Sequence, residues 1–199
     1  MGSSKVALIS LLALAIAGPV EAESRKKEEG KQGDFNVFLR GGVGDYTGDL
    51  GELTSSGPVW GVTFNVQPWN VIGLELSYNG SRNVVQDEFI ADNPFVNRNG
   101  ASGLVRLGLP FLERVRPFVG AGFGASYANV TGRAGGRYQD DLMAELPVAA
   151  GLEFNSGGVT AGLRGTYRYL FDEAWANPAL PGNPQGSFLE GELTFGARF

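Results

Sequence analysis

The sequence predicts an all-β chain that closes into an eight-stranded antiparallel up-and-down transmembrane β-barrel. Three observations carry this expectation. After residue 33, apolar residues recur with a period of two through eight successive segments and almost nowhere with the period of a helix. The connections between those segments alternate between long and short. Within each segment the charged residues keep to one parity, in company with glycine, opposite the apolar residues.

Ahead of the barrel, residues 1–22 read as a signal peptide. Lys5 precedes an apolar run from Val6 to Ala17, and Val20 and Ala22 fit a small-residue cleavage site. That run is too short to cross a bilayer as a helix. Residues 23–33, ESRKKEEGKQG, contain no apolar side chain and are expected to form a flexible charged tail. The barrel domain is expected over residues 34–199.

The first strand is expected over Phe35 to Gly44 and the second over Val59 to Gln67, where Trp60, Val62, Phe64 and Val66 alternate with Gly61, Thr63 and Asn65. The third, Val71 to Asn79, sets Ile72, Leu74, Leu76 and Tyr78 against Gly73, Glu75, Ser77 and Asn79. The fourth covers Ala101 to Leu109. The fifth, Pro117 to Tyr127, has one face nearly filled by glycine. The sixth runs from Glu145 to Phe154 and is marred by Pro147, which has no N–H for the ladder. The seventh spans Val159 to Phe171 and the eighth Phe188 to Phe199. Long connections are expected at 44–58, 80–100, 128–144 and 172–187, and short ones at 68–70, 110–116 and 155–158. All long loops then lie at one end, as in barrels of outer membranes.

Period-two alternation alone does not say which face points inward. The charged parity holds Arg40, Arg106, Arg164, Arg168 and Arg198 with Glu75, Glu145, Glu153, Glu190 and Glu192, five residues of each sign. Pointed at water, this face leaves its glycines unexplained, because exposed strand positions favour β-branched or long polar side chains. Pointed inward, glycine makes room for long Arg and Glu chains in a lumen only just wide enough for side chains. The charged set is therefore expected as a structural network in the lumen, with Leu, Val, Phe, Ala and Tyr facing lipid. Trp69, Phe111 and Phe199 toward the short turns, and Trp60, Tyr78, Tyr127 and Tyr169 toward the long loops, suggest two interfacial girdles.

The composition excludes several functions. The chain has no cysteine and no histidine, which removes disulfides, thiolate nucleophiles, His-dependent triads and HExxH zinc sites. A net charge of −5 without a basic patch argues against nucleic acid as a partner. Asp140-Asp141 and Asp87-Glu88 read as solvated loop charges rather than catalytic pairs. Asp45, Asp49 and Glu52 lack the ligand spacing of a calcium loop. Gly120-Ala-Gly122-Phe-Gly124 departs from GxGxxG and continues as strand on both sides. The sequon Asn129-Val-Thr131 is read as chance. No enzyme activity, cofactor or metal site is expected.

The chain closes on Leu193-Thr-Phe195-Gly-Ala197-Arg-Phe199, and its first strand opens on Phe38-Leu39-Arg40-Gly41-Gly42-Val43-Gly44. In these features it resembles the small outer-membrane barrels of the OmpA transmembrane-domain and OmpX type, over residues 34–199. The resemblance implies an assembly signal at Leu193, Phe195, Ala197 and Phe199, read by the barrel-assembly machinery, and a bacterial outer membrane whose lipids surround the barrel. It also implies structural, adhesive or host-contact roles for the loops, toward an extracellular ligand the sequence does not name. Two alternatives remain open at this stage: a soluble lipocalin-like periplasmic carrier, and a pore of small conductance.

Overall fold

The computed structural model describes residues 34–69, 71–86, 94–109, 114–131, 139–171, 175–176 and 185–199. The expected signal peptide and charged tail, Phe111 and Asp87-Glu88 lie outside the described residues. The strands are β1 (Asp34–Tyr46), β2 (Gly57–Gln67), β3 (Ile72–Val84), β4 (Phe95–Gly108), β5 (Val115–Val130), β6 (Asp141–Ser156), β7 (Val159–Phe171) and β8 (Ser187–Arg198), with one short helix, α1 (Asp49–Leu53), between β1 and β2. Each strand pairs antiparallel with its sequence neighbours, and β8 pairs with β1 to close the barrel. At the seam, Phe35 and Phe199 exchange backbone hydrogen bonds of 3.3 and 2.8 Å.

The registers fix the shape. Followed from partner to partner, they pass through Phe35, Val66, Leu74, Val105, Ala121, Val148, Tyr167 and Leu189 and return to β1 at Asp45, ten residues beyond the start. Such a stagger inclines eight strands by about 40° to the barrel axis and leaves an interior that side chains can fill.

The residues on that path all point outward. The outer wall is an exposed apolar belt in which Leu39, Leu193, Phe195 and Phe123 are each more than 60 % exposed. Exposing apolar surface on this scale to water would cost roughly 25 cal/mol per Å2. The opposite parity is buried and polar: Asn65, Glu75, Ser77, Arg106, Glu153, Arg164 and Glu192 all point into the lumen.

Four strands run three or more residues past their expected ends. β3 continues to Val84, β4 begins at Phe95, β5 continues to Val130 and β6 begins at Asp141. The cause is an inversion of pattern. Beyond the belt the outward positions turn polar, as at Arg82, Asn97, Asn99 and Asn129, while inward ones turn apolar, as at Val96, Ala128, Val130 and Met143. A reading keyed to one apolar face therefore stops at the edge of the belt. The loops are correspondingly shorter than expected.

The inward apolar residues collect at the long-loop mouth. Tyr46, Val59, Val96, Val130, Met143, Leu170 and Phe188 pack with Leu50 of α1 and with Trp175 of the last loop, all buried. Tyr46 meets Phe188 edge-on at 4.7 Å and Trp175 at 5.6 Å. Backbone bonds hold α1 in place: Asp49 N donates to Gln185 O at 3.0 Å and Gln86 N to Leu53 O at 2.7 Å. Gly48 turns the chain into the helix at φ 65°. Among the described loop residues, Leu50 and Trp175 thus fold back onto the apolar side chains of the mouth.

Pro147 is accommodated by a gap. The β5–β6 pairing lapses opposite Leu146 and Pro147 and resumes in the same register at Gly124 and Glu145. Across this stretch β5 carries Gly122, whose added Cβ would overlap the carbonyl oxygen of Gly103. Gly122→Val is expected to cost about 1–3 kcal/mol through overpacking, whereas Gly191→Val, on the outer wall with nothing within 4 Å, should cost far less. Urea titration of the refolded protein in detergent micelles checks the pair, and equal midpoints would contradict the close approach.

Candidate functional site

The lumen holds the densest chemistry of the described residues. Inward positions on six of the eight strands aim Arg and Glu side chains at a common axis, and glycines on the same faces give them room. Toward the long loops lies a four-membered ring. Arg98 reaches Glu145 and Glu190, each at 2.8 Å, and Arg168 reaches the same two carboxylates at 2.6 and 3.0 Å. The Arg98 guanidinium also lies 4.3 Å from the centre of the Phe188 ring, which joins the ring of charges to the apolar plug.

Below the ring, Arg40 pairs with Glu192 at 2.8 Å and also donates to Asn79. Arg164 binds both oxygens of Glu75 from one nitrogen, at 2.8 and 2.9 Å, and donates from Nε to Thr166 at 3.0 Å. Ser77 donates to Glu75 at 3.0 Å and lies 3.0 Å from Thr63. Arg106 pairs with Glu153 at 2.5 Å and stacks 3.7 Å over Phe118. The void between these groups, lined by Phe38, Arg40, Glu75 and Arg164 among others, is about 10 Å3, near the ~10–15 Å3 lower limit for one water.

Nine of the ten residues expected in the lumen are buried there. The exception is Arg198, which is exposed. Its parity is right, but it is the last residue of β8, paired with Asn36 at the turn-end rim, so its side chain lies at the exposed rim rather than in the interior. Arg98, 1 % exposed, takes its place in the network. It was missed because it falls in the segment expected to be a loop. Extending β4 backward along the parity of Arg106 would have found it. The exchange leaves five buried arginines against five buried glutamates, so the interior remains neutral.

Asp45, Asp49 and Asp140 hold neighbouring segments together. Asp49 accepts from the Gln185 N–H at 3.2 Å and Asp45 from Ser56 at 2.7 Å, which brace the first loop. Asp140 accepts from Tyr127, Asn129 and the Val130 N–H at 3.1, 2.9 and 3.3 Å. Among the described residues no three potential metal ligands converge. Leu193, Phe195 and Phe199 are exposed on the outer wall with Ala197 half-buried among them, and the Phe199 ring lies 6.2 Å from that of Phe35.

No protein-family model matches the sequence, and no curated protein matches it. Solved structures do. Ail, the attachment invasion locus protein of Yersinia pestis, superimposes with a TM-score of 0.59 at 15 % identity, over 84 % of this chain and 99 % of its own. Neisserial surface protein A gives 0.58 at 15 % identity, over 86 % and 100 %. The N-terminal barrel of Pseudomonas aeruginosa OprF gives 0.56 at 17 % identity, over 85 % and 100 %. The fold is that of the small eight-stranded outer-membrane barrels.

Among the described residues, each buried arginine and glutamate of the lumen has an ionic partner, and apolar side chains pack together at the long-loop mouth.

Proposed function

We propose that the protein is a non-catalytic barrel of a bacterial outer membrane, with a plugged lumen, that serves a structural or surface-interaction role through its long loops. The observation that carries this reading is the neutral, fully paired set of five arginines and five glutamates filling the lumen beneath an apolar cap. A barrel so filled offers no route for ions and no open pocket for chemistry. Outer-membrane lipids are the natural solvent of the apolar belt. The exposed stripe Leu193, Phe195, Phe199 is the proposed mark for the barrel-assembly machinery. The charges inside and apolar side chains outside are the reverse of a soluble carrier, whose interior is apolar.

Fractionation of expressing cells, with electrophoresis before and after boiling, tests the proposal. The expected result is recovery in the outer membrane with a mobility shift on boiling; a soluble periplasmic protein would overturn it. Planar-bilayer recording should give no large, steady channels. Such channels would favour the pore reading instead.

A further inference from the structure

The outer wall carries a hollow and a projection. The hollow lies on the side of β6, β7, β8 and β1, where Ala150, Gly165 and Gly191 are cross-strand partners in one outward row and Gly41 lies diagonally beyond its end. Val43 and Leu193, 65 and 66 % exposed, rise at its upper and lower rims. Together these residues bound an open groove of about 500 Å3.

The projection is on β5. Phe123 is 76 % exposed, and it stands clear because its outward neighbours are small: Gly103 and Ala101 on β4, Ala121 and Ala125 on β5. The registers place the two features at one depth. Each step around the barrel climbs about one and a quarter residues toward the long loops, so Phe123 stands about seven residues above Phe35 and Gly165, Gly191 and Gly41 about five and a half to seven. The rims match as well. On the same scale Val43 and Ala101 both stand at about eight residues, and Leu193 and Ala121 both at about five. Where the hollow has rims, the projection has small residues, level by level.

We propose that Phe123 of one copy seats in the Gly165–Gly191 groove of the next, so that copies of this chain associate side by side within the membrane. Association in a bilayer gains nothing from withdrawing apolar groups from water and depends on close packing, which small residues permit by letting backbones approach. The surface offered by Phe123 and its small neighbours on one copy, and by the groove and its rims on the other, is on the order of 1,000 Å2 over both partners, the lower bound for a specific interface. An acyl chain is a poorer occupant. The row of small residues runs across the strands, inclined by roughly 40° to the membrane plane, whereas acyl chains run along the normal; lipid in the groove would also leave the matching relief around Phe123 unexplained. The two patches lie roughly a third of the circumference apart, so the contact is head-to-tail and builds a row or a ring rather than a two-fold dimer. This inference rests on the membrane reading above.

The chain has no cysteine, so disulfide trapping reports only the introduced pairs. The double variant A121C/L193C joins a small neighbour of Phe123 to the lower rim of the groove, positions too far apart to bond within one barrel. Oxidation of outer membranes containing it is expected to give a ladder of dimers, trimers and larger species on denaturing gels. Each single variant should stay monomeric, and L76C/L193C, equal in depth but with Leu76 on β3 away from the projection, should give only background. Adding F123A, which removes the projection, or G191L, which fills the groove at a position with nothing within 4 Å of an added Cβ, should abolish the ladder while the mobility shift on boiling shows that the barrel still folds. Absence of any ladder from A121C/L193C would leave the groove to lipid and overturn the proposal. An equal ladder from L76C/L193C would mean random collision, a dimer from either single variant would mean a two-fold contact, and a ladder that survives F123A would mean a contact made elsewhere; each overturns it. Recovery of the protein in the periplasm without a mobility shift would overturn the membrane reading too.

Discussion

Glu145→Ala lowers the stability of the folded barrel by about 3–5 kcal/mol, the expected cost of stranding buried charge. Glu145 is 1 % exposed and is shared by Arg98 and Arg168, so its loss leaves two guanidiniums sharing Glu190 alone. Urea unfolding in lipid vesicles, followed by tryptophan fluorescence, measures the effect. The double substitution Glu145→Leu with Arg168→Leu restores equal charge, four of each sign, and should recover a substantial part of the loss. A double variant that is worse than the single one would contradict the argument, because the damage would then come from lost contacts rather than from unpaired charge.

The second large effect is expected on the other face of the wall. Leu163 is 54 % exposed in the middle of the belt, and Leu163→Arg should cost about 2–4 kcal/mol in a bilayer, where no water reaches the guanidinium. Asn97→Arg, outward on β4 above the belt, should cost close to nothing. The same unfolding measurement in vesicles distinguishes them. Equal, small losses would mean that the apolar wall is not in contact with hydrocarbon.

Much of this molecule could be read from its residues because one rule, alternation, governs both faces. The parity of Glu75, Arg106, Glu153 and Arg164, together with the glycines that share it, points them into the lumen, and the strand order follows from loops that alternate in length. Three kinds of feature are illegible. Above the belt the alternation changes sense, so Arg98 and Met143 looked like loop residues although both are buried in the barrel. At the rim, parity says where a side chain points but not whether any interior remains there, which is why Arg198 was misplaced. The plug was hidden for a third reason. Leu50 and Trp175 are isolated apolar residues in polar loops, and nothing in their spacing says that they fold back into the mouth.

That inward turn divides the first loop into two populations of positions with different freedom to change. Leu50 is committed to filling the mouth, and Asp49 and Leu53 are tied through backbone bonds to neighbouring loops. Glu52 and Ser56 are exposed. A surface under pressure to vary, from antibodies or bacteriophages, would be expected to diversify at the exposed positions while holding the anchored ones fixed. The variable part of such an epitope would be presented on a rigid mount, recognisable in shape even as its side chains are exchanged.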